Sequence, residues 1–206
     1  MIDLTKDGGL WIVTLNRPDK ANSLTSEMLE RLAEIVEAGA GDDGLRALVL
    51  TGAGDRVFSA GADLDAAKAG LAVSPLWERV SGAIADLPCV TIAALNGTLA
   101  GGAFGMALAC DIRIAVPAAK FFYPVARLGY LPQPSDPGRL VSLLGPSRAK
   151  MILLASQKIA ADEALAWGLV ERVVAAEDLI GVARDLAQAS LDGKPEVLRQ
   201  IKAMCG

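Results

Sequence analysis

Histidine is missing from all 206 residues, and that one absence removes whole classes of chemistry. It excludes Ser-His-Asp and Cys-His nucleophilic systems, HExxH zinc sites and imidazole general catalysis. Any proton transfer must then use a carboxylate, Tyr, Lys, Cys or water. Cysteine is scarce as well: Cys89, Cys110 and Cys205 are odd in number and lack CxxC spacing. With no signal-peptide pattern in Met1–Leu10, reduced thiols in a cytoplasmic protein are the expectation. No strong positive balance is present either. The net charge of -4 argues against nucleic acid as the main partner, although a local basic patch could still take a phosphorylated small molecule. The apolar runs are broken by Asn96 or by glycine, so none reads as a membrane span and no membrane partner is expected.

What is present fits one well-packed domain, with 52% hydrophobic and 21% charged residues. Leu10–Leu15, Leu45–Thr51, Cys89–Leu95 and Ile112–Val116 read as strands. Thr25 to Ala38 has helical apolar spacing at Met28, Leu29, Leu32, Ile35 and Val36, with Thr25 or Ser26 as N-cap. Further helices are expected at Leu76–Ala85, Gly101–Ala109, Arg148–Ala155, Ala161–Trp167, Asp178–Leu191 and from Pro195. Strands alternating with helices argue an α/β domain with parallel strands. Proline and glycine cluster most densely at Gly129–Gly138, which reads as a loop.

Three glycine-rich stretches carry the functional signal. Gly52-Ala53-Gly54 follows a strand, but the third glycine of a dinucleotide fingerprint would fall at Val57, so that fingerprint is incomplete. Phe58-Ser59-Ala60-Gly61-Ala62-Asp63-Leu64 and Asn96-Gly97 through Gly101-Gly102 are different. Each places small residues after a strand, where backbone N–H groups can be exposed. Two convergent N–H groups suit an oxyanion. Close helix–strand packing is the other use for such small residues.

Together with Arg17-Pro18-Asp19-Lys20-Ala21-Asn22-Ser23-Leu24, Cys110-Asp111-Ile112, Leu128-Gly129 and Ala164–Val170, these stretches resemble the crotonase superfamily, the enoyl-CoA hydratase/isomerase family. The resemblance covers nearly the whole chain. It implies a crotonase-type spiral of β-β-α units over residues 1–190 with a shortened C-terminal helical tail at 191–206. It also implies a homotrimer or dimer of trimers that acts on acyl-CoA, with coenzyme A as part of the substrate and neither a permanent cofactor nor a metal. By motif, the backbone N–H groups of Ala62 and Gly102 hold the thioester oxygen. The coenzyme A portion runs past Lys20, Ala21, Ala60, Asp63 and Leu64. An ordinary solvated lysine and a loop-capping aspartate are the alternatives for Lys20 and Asp63.

The pattern then departs from the hydratases, which use two glutamates. Those positions are here Gly105 and Val125, neither of which can move a proton. Isomerisation, which needs one base, and decarboxylation, which can do without, are expected over hydration. A non-catalytic acyl-CoA-binding or scaffold protein is the competing expectation. Asp136 is the one carboxylate in the loop Tyr130–Gly138 and the first candidate acid/base, against a turn aspartate capping the next helix. Tyr130 and Tyr123 are candidate hydrogen-bond donors to an enolate. Gln133 could orient water; Glu78 could reach the acyl pocket, but an exposed helix-face glutamate is the safer expectation.

Overall fold

The computed structural model describes residues 1–205. The strands are β1 (Ile2–Asp7), β2 (Leu10–Leu15), β3 (Ala47–Gly52), β4 (Val57–Ser59), β5 (Val90–Leu95), β6 (Thr98–Ala100), β7 (Ile112–Ala115), β8 (Lys120–Phe122), β9 (Ile159–Ala160) and β10 (Arg172–Val173). They build two sheets, in the orders β1-β2-β3-β5-β7-β10 and β4-β6-β8-β9. The consecutive pairs β3–β4, β5–β6 and β7–β8 each leave one strand in each sheet. Successive turns of chain therefore stack β3, β5 and β7 in parallel in one sheet and β4, β6 and β8 in parallel in the other. Parallel neighbours need a crossover, and helices fill it. This is the spiral of β-β-α turns that the resemblance implies.

The helices are α1 (Ser26–Ala40), α2 (Leu64–Lys68), α3 (Leu76–Ala85), α4 (Phe104–Ala109), α5 (Val125–Leu128), α6 (Asp136–Leu144), α7 (Pro146–Leu153), α8 (Ala161–Trp167), α9 (Leu179–Asp192) and α10 (Pro195–Cys205). Thr25 caps α1, its hydroxyl accepting from Met28 N, and the predicted apolar face is the buried one. Every residue of β3 is buried, and α9 packs against β3, β5 and β7. A strand covered on both faces can be apolar throughout, which is why Ala47–Leu50 shows no alternation. On the other side α1 packs on α3, α3 on α4, and α4 on α6. That stack of helices positions the site.

Two boundaries differ from those expected. The loop read as Gly129–Gly138 ends sooner, because Asp136 and Pro137 open α6; proline suits a first helical turn, where its missing N–H costs nothing. Residues 190–191 fall inside α9, and the chain breaks at Gly193 instead. Among the described residues no helix is long and apolar enough to cross a membrane.

Candidate active site

The two glycine-rich stretches meet. Gly61 (φ +88°) and Gly101 (φ +58°) both take left-handed backbone, which glycine adopts at little steric cost. A Cβ on Gly61 would fall 2.9 Å from the Ala100 carbonyl oxygen and 3.4 Å from Gly102 N. Glycine at 61 is therefore what allows the loop after β4 to reach the 3-10 turn Gly101–Ala103. On either side of Ala62 the backbone is used: Leu24 N donates to the Gly61 carbonyl, and Asp63 N to the Leu24 carbonyl. Among the described residues the N–H groups of Ala62 and Gly102 have no acceptor of their own. For Gly102 this follows from its place in the first turn of a helix. Two free donors on touching backbones are the kind of arrangement that can hold a negatively charged oxygen.

Three residues further on, α4 is buried on every side, Phe104 to Ala109 without exception. Gly105 leaves a gap in that wall, and Asp136 fills it. A Cβ on Gly105 would lie 2.9 Å from Asp136 Oδ1 and 3.5 Å from its Cγ. The aspartate is 0% exposed. Its Oδ2 accepts a 2.9 Å hydrogen bond from the Tyr123 hydroxyl, whose ring stacks on Phe104 at 5.3 Å between centroids. Oδ1 has no hydrogen-bond partner, and the Arg139 guanidinium stands off at 4.0 Å. Burial pushes the Asp136 carboxyl up to about 7, against the Tyr123 hydrogen bond and Arg139, which favour the charged form; Glu78 adds to the rise. The Tyr123 hydroxyl is pushed above its ordinary value, mainly by burial.

The family model for enoyl-CoA hydratase/isomerase matches residues 5–205. The chain belongs to the enoyl-CoA hydratase/isomerase family. It is 36% identical over 207 residues to the carnitinyl-CoA dehydratase of Salmonella enteritidis, spanning 98% of this chain and 78% of that one. The short-chain-enoyl-CoA hydratase of Clostridium acetobutylicum is 35% identical over 204 residues, 97% of this chain and 78% of its own. The solved structure of Pseudomonas aeruginosa DspI superposes with a TM-score of 0.91 at 36% identity, covering 99% of this chain and 85% of that one.

Within this family member the remaining sequence candidates are spread unevenly. Asp136 is not the cap of α6; Ser135 holds that position, and the aspartate side chain points into the core. Tyr130 is 40% exposed, and the hydroxyl that reaches the carboxylate belongs to Tyr123, which composition could not separate from a core tyrosine. Gln133 is tied elsewhere, its Nε2 donating to the Ala72 carbonyl at 3.3 Å. Val125 opens α5 and packs its apolar side chain against the core.

Lys20, Ala60 and Leu64 lie exposed along one rim. Ala21 and Asn22 both take left-handed backbone there, at φ +52° and +50°. Asn22 explains how they are held: its Nδ2 donates to the carbonyls of Ala53 and Val57, and its Oδ1 accepts from Arg17 N. Asp63 caps α2 through Asp65 N and Ala66 N and pairs with Arg17 at 2.8 Å. The Arg17 bond holds its carboxyl below the usual range, and the carboxylate is taken up by these contacts, as the loop-cap alternative has it. The Gly52-Ala53-Gly54 stretch is likewise a closed loop, bridged by Asn96 to Gly52 N and to the Gly54 carbonyl.

A cavity of about 970 Å³ lies at the opposite end of α4, between Leu108, Ala109, Arg139 and α10. Neither free N–H opens into it, so its size says nothing about the oxyanion seat.

Proposed function

We propose that this protein moves a proton at the α-carbon of an acyl-CoA thioester, as an isomerase-type member of its family. The N–H groups of Ala62 and Gly102 hold the thioester oxygen, and Asp136 is the single acid/base. The observation that carries this reading is Asp136 Oδ1, a buried carboxylate oxygen with no hydrogen-bond partner, set against the gap at Gly105. Buried polar atoms are nearly always paired, and this one is left open on a carboxylate that packs against Gly105, three residues along the chain from Gly102.

The chemistry balances with one base. Ionised Asp136 removes a proton from carbon, the bonding pair moves toward the carbonyl, and the enolate oxygen takes the negative charge between Ala62 and Gly102. Removing one such donor typically costs about 3 kcal/mol of transition-state stabilisation. The same carboxyl returns the proton to another carbon, so the double bond shifts and nothing is oxidised or reduced. A pKa raised to about 7 suits both halves, since a base near ambient pH also gives its proton back readily. Tyr123 holds Oδ2, which leaves Oδ1 as the reactive oxygen.

Hydration would need a second group to orient water, and Gly105 and Val125 supply none. Decarboxylation is disfavoured by charge, because the carboxylate of a malonyl-type substrate would meet Asp136. We assign the coenzyme A portion to the rim of Lys20, Ala21, Ala60 and Leu64, and propose assembly as a homotrimer or dimer of trimers, both on the family resemblance.

Exchange of α-protons in D2O, followed by mass spectrometry over a panel of saturated acyl-CoAs, tests the reading. Wild type exchanges deuterium, Asp136→Asn loses at least ~100-fold of that rate, and crotonyl-CoA hydration is negligible. Retained exchange in Asp136→Asn would sink the assignment of the base. Calorimetric binding without exchange or product would favour the non-catalytic acyl-CoA binder.

A further inference from the structure

Both halves of the site lean on consecutive residues of α3. Trp77 lies against the oxyanion glycine: a Cβ on Gly102 would come within 3.1 Å of its ring, and its Nε1 is held by the Leu71 carbonyl at 2.8 Å. The next residue, Glu78, reaches the other half. Its Oε1 accepts from Ser135 N at 3.0 Å and its Oε2 from the Ser135 hydroxyl at 2.6 Å. Ser135 is the N-cap of α6, yet its own side chain makes no cap bond. Glu78 caps the helix from outside and takes hold of the residue directly before Asp136.

We propose that Glu78 is a positioning residue, the tether that sets the Asp136 carboxylate against Gly105 and fixes its distance from the Gly102 N–H through the shared helix α3. This role rests on Asp136 being the base of the proposed reaction. The geometry makes the tether specific. The bond at Oε1 fixes the backbone where α6 begins, and the bond at Oε2 fixes the side chain of the same residue. The loop is also held at Gln133, whose N donates to the Tyr123 hydroxyl and whose Nε2 donates to the Ala72 carbonyl, but the Glu78 anchor is the one on the residue directly before Asp136. The tether also has an electrostatic side. The charged or titratable groups that bear on Asp136 are Tyr123 from the strand-to-α5 segment, Arg139 from its own helix and Glu78 from α3; Gly105 brings none from α4. Burial is the main reason the carboxyl holds its proton, and Glu78, the one of these three that opposes ionisation, adds to it.

Two variants separate these effects. Glu78→Gln keeps an oxygen for Ser135 N but removes the charge. The carboxyl of Asp136, followed by 13C NMR, should then titrate at lower pH, and the acid limb of kcat/KM should move down with it by roughly half a unit to one unit. Glu78→Ala removes the tether, and kcat should fall at least ~10-fold while KM changes little, as expected when a catalytic group drifts by a fraction of an ångström. Glu78→Gln should restore most of that kcat, which a general loss of stability would not predict. An Asp136 titration unchanged in Glu78→Gln, or kcat unchanged in Glu78→Ala, overturns the proposal. Should Glu78→Ala fail to fold, Ser135→Ala cuts one of the two bonds and must lower kcat several-fold; no change there counts against the tether equally. The NMR titration needs no turnover. If Asp136→Asn retains α-proton exchange, the base assignment fails, while the shift of the Asp136 resonance in Glu78→Gln still scores Glu78 on its own.

Discussion

Asp136 Oδ1 stands 2.9 Å from the point where any side chain at position 105 would place its Cβ. The carboxylate of one helix thus occupies the room that another helix gives up. Members of the family that hydrate double bonds resemble one another in carrying a glutamate at that point of α4; here the position is glycine, and the carboxylate packed against it comes from α6. That contact accounts for a glycine in the middle of a buried helix, where alanine would otherwise be favoured by about 1 kcal/mol.

Gly105→Ala tests that fit. The added methyl must displace a fully buried carboxylate, so overpacking should cost about 1–3 kcal/mol, read as a lower midpoint in urea. Because the displaced group is the proposed base, α-proton exchange should fall by roughly 10–100-fold. Activity unchanged in a destabilised variant would separate the packing from the chemistry.

The buried acid also makes stability depend on pH with a definite sign. In the unfolded chain an aspartate ionises near 3.8, whereas in the fold Asp136 holds its proton up to about 7. The folded state binds the extra proton between these values. Its contribution is therefore complete below about pH 4 and is lost as pH rises through about 7, by up to about 4 kcal/mol at ~1.4 kcal/mol per unit. Asp136→Asn should abolish this component, so the variant should gain on wild type as pH rises from 4.5 to 8 in urea titrations. Salt-bridged carboxylates such as Asp63 run the opposite way, and the wild-type/variant difference cancels them. With Asp136 as the proposed base, activity should have the reverse slope: kcat/KM should climb with pH and level off above about 7.

Tyr123→Phe removes the donor to Oδ2 and leaves both oxygens of a buried carboxylate unpaired. The Tyr123 bond holds the Asp136 pKa down, so the acid limb of kcat/KM should move to higher pH in the variant. The lost bond should also cost about 1–3 kcal/mol of stability. An unmoved pH profile would show that the hydroxyl does not govern the carboxylate.

Gly61→Ala strikes the other half. A side chain there is strained by φ +88° and meets the Ala100 carbonyl at 2.9 Å, which drives the Ala62 and Gly102 N–H groups apart. Loss of one donor predicts a fall of about 100–1,000-fold in kcat with acyl-CoA affinity by calorimetry much less affected. Equal losses in binding and turnover would mean that the loop, rather than the donor pair, was damaged.

Local chemistry made much of this legible. The apolar runs at Leu10–Leu15, Leu45–Thr51 and Cys89–Leu95 find their strands because they lie between covering layers, and the face of α1 follows from its period. The strands β4, β6, β8 and β9 were out of reach, since two or three residues are too few to show a period and their pairing partners lie far away in the chain. β1 is hidden for another reason: Ile2–Asp7 is mostly exposed and carries charge at Asp3, Lys6 and Asp7, and its antiparallel pairing with β2 makes it a strand.

The site divides along the same line. Its glycines at 61, 101 and 102, the absence of histidine, and the missing acids at 105 and 125 are properties of single positions, and residue identity is enough to read them. They suggest a pair of free backbone donors and put no carboxylate at position 105 or 125. Whether Asp136 is a turn cap or a reacting group depends on what surrounds it, and so does the choice between Tyr123 and Tyr130. The fold supplies those surroundings: Asp136 meets Gly105 across 31 residues of chain, and its neighbour Ser135 meets Glu78 across 57. Burial and proximity are properties of the folded stack α3–α4–α6, and burial there pushes the carboxyl of Asp136 up to about 7.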